Sequence, residues 1–282
     1  MTLKLTRRAW IRTMIYSSFF FTGAVACVSS KQLEIVRADL PIKGLPKEAD
    51  GIKIGVMSDF HAGAFDNKEI ILQSIAAINA EQPDIITILG DYMNAQTTRD
   101  SKSLEKNSYI FEALRSLEAP QGIYAVLGNH DHWIDAHFVQ DKLSGLTAQI
   151  LTNQDIVLDN GLAMAGIDDL LKGSPDSKKA MANIPPETTT ILLSHNPDVN
   201  LQLNDEARIC LVISGHTHGG QIRIPFAKWA PWVPCSLRYR QSGLIRETID
   251  RSTFVTKGIG TTIIPVRVAC PADIAILRLL RV

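Results

Sequence analysis

Cysteine is scarce in this chain: four residues in 282, no two of them in a CxxC pair. That spacing gives no structural zinc of the paired-thiolate kind. If Cys27 belongs to an export signal, Cys210, Cys235 and Cys270 are left, an odd number that cannot be fully paired. Cys210 lies in an apolar strand pattern and reads as plain core; pairing of Cys235 with Cys270 stays open. A surplus of one charge is also missing, with 29 basic and 29 acidic residues. The first 26 residues contain no acid but hold Lys4, Arg7, Arg8 and Arg12, so the rest has 25 basic against 29 acidic residues, a net of −4. A mildly acidic body is a poor match for sequence-independent nucleic-acid binding, and no nucleic-acid partner is expected. There is no internal repeat, no low-complexity tract and no convincing domain boundary after residue 50. With 45% hydrophobic and 21% charged residues, disorder and collagen-like classes are excluded and one sizeable core is affordable.

The N-terminus, "MTLKLTRRAWIRTMIYSSFFFTGAVACVSSK", has a basic stretch, an apolar stretch from Met14 to Val25 and small residues before Cys27, the three-part pattern of an export signal. Within it "TRRAWIR" resembles a twin-arginine signal, which would engage the twin-arginine export machinery. Cleavage after Ala26, lipidation of Cys27 and an uncleaved anchor are the three readings of its end; residues 13–30 are uncharged but only marginally apolar for a span. The expected organisation is residues 1–26 as export signal or anchor, 27–50 as linker and leading strand, and 51–282 as one catalytic domain. The expected location is exported, periplasmic or membrane-associated, the alternative being a membrane-anchored domain facing the cytoplasm.

Beyond residue 50 one pattern repeats. A short apolar run, read as a buried strand, ends in a polar cluster: "GIKIGVM" runs into "SDFH", "DIITIL" into "GDY", "GIYAVL" into "GNHD", "TTILL" into "SHNPD", and "ICLVI" into "SGHTHGGQ". Helical spacing lies between the early strands, with Ile70, Ile71, Ser74, Ile75 and Ile78 on one face before Pro83, and a similar pattern in "EKNSYIFEALRSLEAP" before Pro120. Strands alternating with helices imply crossover units, and such sheets bind ligands outside the carboxyl ends of their strands.

The five loops carry Asp59, His61, Asp91, Asn129, His130, His195, His216 and His218. Carboxylates, imidazoles and one amide, without thiolate, suit borderline divalent ions such as Mn, Fe, Zn or Co. These donors are too many for one ion. Two ions about 3.5–4 Å apart sharing a carboxylate would use them, and would clamp the attacking and leaving oxygens of a phosphoryl displacement. Asp91 is a natural bridge. Asp59 and His61 can reach one ion if the strand end curls, and Gly215, Gly219 and Gly220 allow close backbone approach.

In this order, "SDFH", "GDY", "GNHD", "SHNPD" and "GHTHGGQ" resemble the five blocks of the calcineurin-like metallophosphoesterases, over residues 52 to about 224. The resemblance implies an α/β fold, a double β-sheet sandwich flanked by helices in α/β/β/α order. It also implies two divalent metal ions, Mn, Zn or Fe. One ion would take Asp59, His61 and His218, the other Asn129, His195 and His216, with Asp91 bridging and a hydroxide between them as nucleophile. His130 would face the phosphate and stabilise developing charge or protonate the leaving oxygen, and Asp131 would orient its imidazole. "GHTHGGQIR", "GIDD" at 166–169 and "GIGTTIIPVRVACPADI" are similar to an exported or membrane-associated phosphodiesterase subgroup. The expected substrate is a phosphate ester, lipid-linked in one version: the alternative reading is a UDP-2,3-diacylglucosamine pyrophosphohydrolase of lipid A synthesis, which needs a cytoplasm-facing domain. A non-catalytic scaffold usually loses ligands or the catalytic histidine, and this chain retains them all.

Other residues receive plainer readings. His132 and His137 are expected at a solvated helix start or surface. Asp168 and Asp169 are as readily turn caps as functional groups, and Arg267 is expected in a structural ion pair rather than on phosphate. "IPFAKWAPWVPC", residues 224–235, sets Phe226, Trp229, Trp232 and Val233 among three prolines. It suits a lipid interface or greasy pocket, although a lid folded back on the body is the favoured reading.

Overall fold

In a computed structural model, residues 31–203, 208–225, 229–236 and 241–282 are described. The expected export signal and Phe226 lie outside them. In chain order the strands are β1 (Leu33–Ile42), β2 (Lys53–Met57), β3 (Ile85–Ile88), β4 (Ile123–Ala125), β5 (Ala148–Ile150), β6 (Gln154–Val157), β7 (Ala163–Gly166), β8 (Thr190–Leu193), β9 (Ile209–Ser214), β10 (Gly243–Arg246), β11 (Ser252–Val255) and β12 (Ala272–Arg281). All five apolar runs that precede polar clusters are strands: β2, β3, β4, β8 and β9.

They form two sheets, in the orders β1-β12-β2-β3-β4-β5 and β10-β11-β9-β8-β7-β6. β2 to β5 run parallel, as do β7, β8, β9 and β11, while β6 and β10 are antiparallel edges. The leading strand, β1, is itself a sheet edge, in parallel register with β12 from Leu33↔Ala272 to Ile42↔Arg281.

Strand alternation divides the apolar side chains into layers. Ile54, Val56 and Ile85 from the first sheet meet Ile191, Leu193, Ile213 and Phe254 from the second. Ile86 and Ile88, on the other face of β3, pack under helices with Ile71, Ile78 and Phe111. Leu192 and Val212 cover the outer face of the second sheet with Val199 and Met181. The α/β/β/α arrangement follows, with short 3₁₀ turns at Lys179–Met181 and Pro197–Leu201 on the second outer face.

Helix α1 (Lys68–Ala80) buries Ile70, Ile71, Ser74, Ile75 and Ile78, the five positions its spacing marked. The second helical stretch differs from expectation by breaking in two, α2 (Ser101–Asn107) and α3 (Tyr109–Leu114). An Asp100–Ser103 capping box starts it early, and at the break the Ser108 hydroxyl donates to the Glu105 carbonyl at 2.7 Å, competing with the helical ladder. Two short helices, α4 (Asn129–Ile134) and α5 (Ala136–Ser144), follow β4.

Candidate metal centre

The loops after β2, β3, β4, β8 and β9 converge, and all seven expected ligands are buried there: Asp59, His61, Asp91, Asn129, His195, His216 and His218. The strand ends do curl. Asp59, His61, Asp91, His216 and His218 have φ of 53°, 46°, 55°, 66° and 51°, a left-handed region uncommon for residues with a Cβ. Strain of this kind persists where surrounding structure over-determines the backbone. Here the Asp59 carboxylate accepts the His216 N–H at 3.1 Å, and the His61 N–H donates to the Asp91 carbonyl at 3.0 Å.

The donor atoms form two neighbouring groups. His61 Nε2 lies 3.0 Å from His218 Nε2, which is 3.5 Å from Asp59 Oδ1. His195 Nε2 lies 3.2 Å from His216 Nδ1. Asp91 Oδ2 sits between the groups, 3.5 Å from His61 Nε2 and 3.4 Å from His195 Nε2. The amide oxygen of Asn129 is buried and has no hydrogen-bond partner. Imidazole nitrogens aimed at each other beside an orphaned amide oxygen fit divalent ions, because lone pairs that would repel then share a cation.

Electrostatics agree with this for three of the four imidazoles. Burial, with His130 nearby, holds His61 well below the ordinary imidazole value, and burial with Arg267 nearby does the same to His218. Burial and His195 lower His216 to about 4. These rings are therefore neutral, the form that ligates metal. Burial alone would raise the Asp91 carboxyl, but His195, His130 and His61 outweigh it and hold it well below its usual range. Burial would lower His195, but Asp91 outweighs it and holds the ring well above the ordinary imidazole value; the Nδ1 proton is held 2.6 Å from the Leu89 carbonyl oxygen, so a metal ion would displace the other proton, on Nε2.

Glycine permits the approach of the loops. A Cβ on Gly128 would fall 2.3 Å from Asp91 Oδ1 and 2.8 Å from His195 Cε1, so the "GNHD" turn abuts the bridging position only without a side chain.

His130 lies beside the group, its ring centroid 4.4 Å from that of His61. Asp131 does not orient it, a correction to the expectation. From the first turn of α4 its carboxylate turns back to accept N–H groups of Gly128 (2.8 Å), Asp91 (2.8 Å) and Tyr92 (3.0 Å). The His130 ring is held instead by the Ala95 N–H, which donates to Nδ1 at 3.1 Å.

Further corrections concern residues given plain readings. His132 is not solvated: Nε2 lies 2.8 Å from Asp168 Oδ1, so "GIDD" meets α4. Asp168 also accepts from Ser174, and Asp169 accepts from Leu171 and Lys172, in keeping with the turn-cap reading of both. Among the described residues Arg267 makes no ion pair; it is buried and donates to the carbonyls of Lys257, Gly258, Gly260, Cys270 and His218, tying the 215–221 turn to the 257–260 loop. Cys210 and Cys270 are buried free cysteines, so Cys270 is not paired with Cys235. The 229–233 segment divides: Ala230 and Val233 fold onto the body while Trp229 and Trp232 stay exposed. Sequence reasoning missed Trp133, whose ring packs edge-on against His130 at 4.9 Å. Its place directly after "GNHDH" was the available signal.

A family model described as calcineurin-like phosphoesterase matches residues 52–220, more than half of the chain, from the first motif to Gly220 in the fifth. The chain belongs to the calcineurin-like phosphoesterases. Family membership makes it a phosphoric ester hydrolase. This phosphoesterase is 31% identical to the "Uncharacterized metallophosphoesterase YkuE" of Bacillus subtilis, over 83% of its own length and 81% of that protein. It is 30% identical to an "Uncharacterized metallophosphoesterase" of Helicobacter pylori, over 81% of its length and 60% of the relative's. It is 28% identical to a "Transmembrane protein with metallophosphoesterase domain" of Danio rerio, over 86% of its length and 56% of that protein. A dimetal phosphatase from Danio rerio superposes with a TM-score of 0.47 at 10% identity, over 74% of this chain and 88% of that one. Among the described residues of the phosphoesterase, no helix is long and apolar enough to cross a membrane.

Proposed function

We propose that this phosphoesterase hydrolyses phosphodiesters at two divalent ions, one held by Asp59, His61 and His218, the other by Asn129, His195 and His216, with Asp91 shared. The observation that carries the reading is Asp91 Oδ2 standing 3.5 Å and 3.4 Å from imidazoles of the two groups. Two such ions supply Lewis acidity and lower the pKa of water.

The chain's own residues supply the rest. Because His130 Nδ1 accepts the Ala95 N–H, the proton of the neutral ring sits on Nε2, where it can be donated to a phosphate oxygen or leaving group. Asp131 holds the Asp91 and Gly128 turns against each other, so the shared carboxylate and Asn129 keep their spacing. His195 is oriented by the Leu89 carbonyl.

A diester is favoured over a monoester by the use of nearby cations. Arg223 donates to the Gly219 carbonyl and to Ser242, Lys257 pairs with Glu34 and Asp273, and Arg267 is enclosed by carbonyls. These side chains around the 215–221 turn are committed to protein oxygens, and a phosphodiester, with its single negative charge, needs fewer cations than a dianionic monoester.

The decisive experiment compares the metal-loaded protein on bis-p-nitrophenyl phosphate, p-nitrophenyl phosphate and a diacylglucosamine nucleotide, with Asp91→Ala as control. Preference for the simple diester supports the reading; preference for the monoester defeats it. Strong preference for the lipid nucleotide assigns the alternative pyrophosphohydrolase, with the domain facing the cytoplasm. Export by the twin-arginine route is part of the proposal, supported by Arg7 and Arg8 ahead of the apolar stretch. Lysine at both positions should hold the protein in the cytoplasm, and undiminished export removes that route.

A further inference from the structure

Large apolar side chains are exposed beside the metal centre. Ile263 is 69% exposed, Trp232 57%, Ile224 46%, Trp229 41% and Ile264 40%, and they come from three segments that meet at the 215–221 turn. Between them lies a cavity of about 230 Å³ walled by Ile222, Pro231, Trp232, Ile263, Ile264 and His218. Soluble surfaces rarely leave apolar side chains clustered in this way unless something covers them.

The turn that carries the expected ligands is also the floor of this cavity. Gly220 has φ of 77°, and a Cβ there would lie 2.2 Å from the Ala230 Cβ and 3.0 Å from the Trp232 carbonyl oxygen, so the 229–233 segment packs directly on it. Gln221 fixes the opposite wall, donating to the Ile264 carbonyl and accepting the Thr262 N–H, each at 3.0 Å. Thr217 donates to the Gln241 carbonyl at 2.7 Å. The amide of Gln221 and the hydroxyl of Thr217 are therefore committed within the protein, and the surface they leave offers little to the hydroxyls of a sugar or the edge of a base. An aliphatic chain asks for no hydrogen bond. His218 belongs both to the cavity wall and to the first ligand group, 3.0 Å from His61 Nε2. The cavity and the first ligand group therefore share a residue.

We propose that this cavity is the subsite for an aliphatic ester substituent, which makes the preferred substrate a phosphodiester with one alkyl or acyl-bearing arm. The proposal rests on the phosphodiesterase reading and names the substrate class for that site. Each methylene taken from water into the cavity strengthens transition-state binding equally with ground-state binding, so the effect falls on kcat/KM.

The test is a homologous series of p-nitrophenyl alkyl phosphates, from methyl through butyl to octyl, each below its micelle concentration, with the metal-loaded full chain. kcat/KM should climb by up to about fourfold per methylene until the cavity is full. Trp232→Ala and Ile263→Ser, both at exposed positions, should flatten that climb, while Ile249→Ser, at an exposed site on another face, should preserve it. A flat series in the unaltered enzyme overturns the subsite while hydrolysis of the methyl ester upholds phosphodiesterase activity. No hydrolysis of any member overturns the activity itself. A climb that Trp232→Ala and Ile263→Ser leave intact overturns the location. A flat series together with sedimentation on phosphatidylglycerol vesicles that Ile263→Ser abolishes gives the face to a bilayer instead. A dimer in solution that Ile263→Ser dissociates gives it to a second copy, and either result overturns the proposal.

Discussion

The Asp91 Oδ2 atom stands between His61 Nε2 and His195 Nε2, 3.5 Å from one and 3.4 Å from the other. A single carboxylate oxygen at that point borders both groups of donor atoms. Asp91→Ala should abolish hydrolysis and empty one or both ion sites, and His216→Ala should do the same at the second. Metal content by mass spectrometry beside activity checks this, and full activity in either variant would refute the ligand assignment.

His130 is expected to act on substrate rather than on metal. His130→Ala should retain both ions and lose about 10²–10⁴-fold in kcat. The ring lies close enough to His61 and Asp91 to be a ligand by distance alone, so the alternative is concrete. Loss of an ion in this variant would move His130 into the ligand set.

Asp131 should matter for stability through the backbone it gathers. Asp131→Ala leaves the N–H groups of Asp91, Tyr92 and Gly128 without their acceptor, at about 1–3 kcal/mol for each buried donor. Thermal unfolding should shift far down, and less far for Asp131→Asn, which keeps one acceptor oxygen. An unchanged melting temperature with an altered pH–rate profile would restore the imidazole-orienting role.

The His132–Asp168 pair should make stability depend on pH. The hydrogen bond that His132 donates to Asp168 raises the His132 value; burial pushes Asp168 up, but His132 and backbone N–H groups outweigh it and hold it below the usual carboxylate range. The histidine contribution is complete below about pH 6.5 and fades as pH rises through its raised value; the aspartate contribution is present above about pH 3.9 and fades as pH falls through its lowered one. The melting-temperature gap between the native protein and Asp168→Asn should therefore be wide near about pH 6 and narrow near about pH 9. An equal gap at both would show that the pair is not charge-assisted.

Much of this was legible from local pattern. The 3.6-residue spacing of Ile70, Ile71, Ser74, Ile75 and Ile78 named the buried face of α1 because one helix face has one environment. Apolar runs too short for helices gave β2, β3, β4, β8 and β9, and the polar clusters after them gave every expected ligand. The break at Ser108 was not legible, since a hydroxyl competing for a helical carbonyl is one hydrogen bond among many that a sequence permits.

By itself, then, the sequence determined the five strands that end in polar loops, the buried face of α1 and the chemistry of the clustered donors, because periodicity and residue chemistry are local properties. Tertiary structure alone decided that Asp131 serves backbone rather than His130, that Arg267 is enclosed by five carbonyls, and that His132 finds Asp168 across 36 residues. It also decided that exposed Trp232 and Ile263 share a cavity with His218. The physical reason is the same in each case: hydrogen bonds and apolar contacts are short-ranged, and which partners come within their range is set by how two sheets stack, not by distance along the chain.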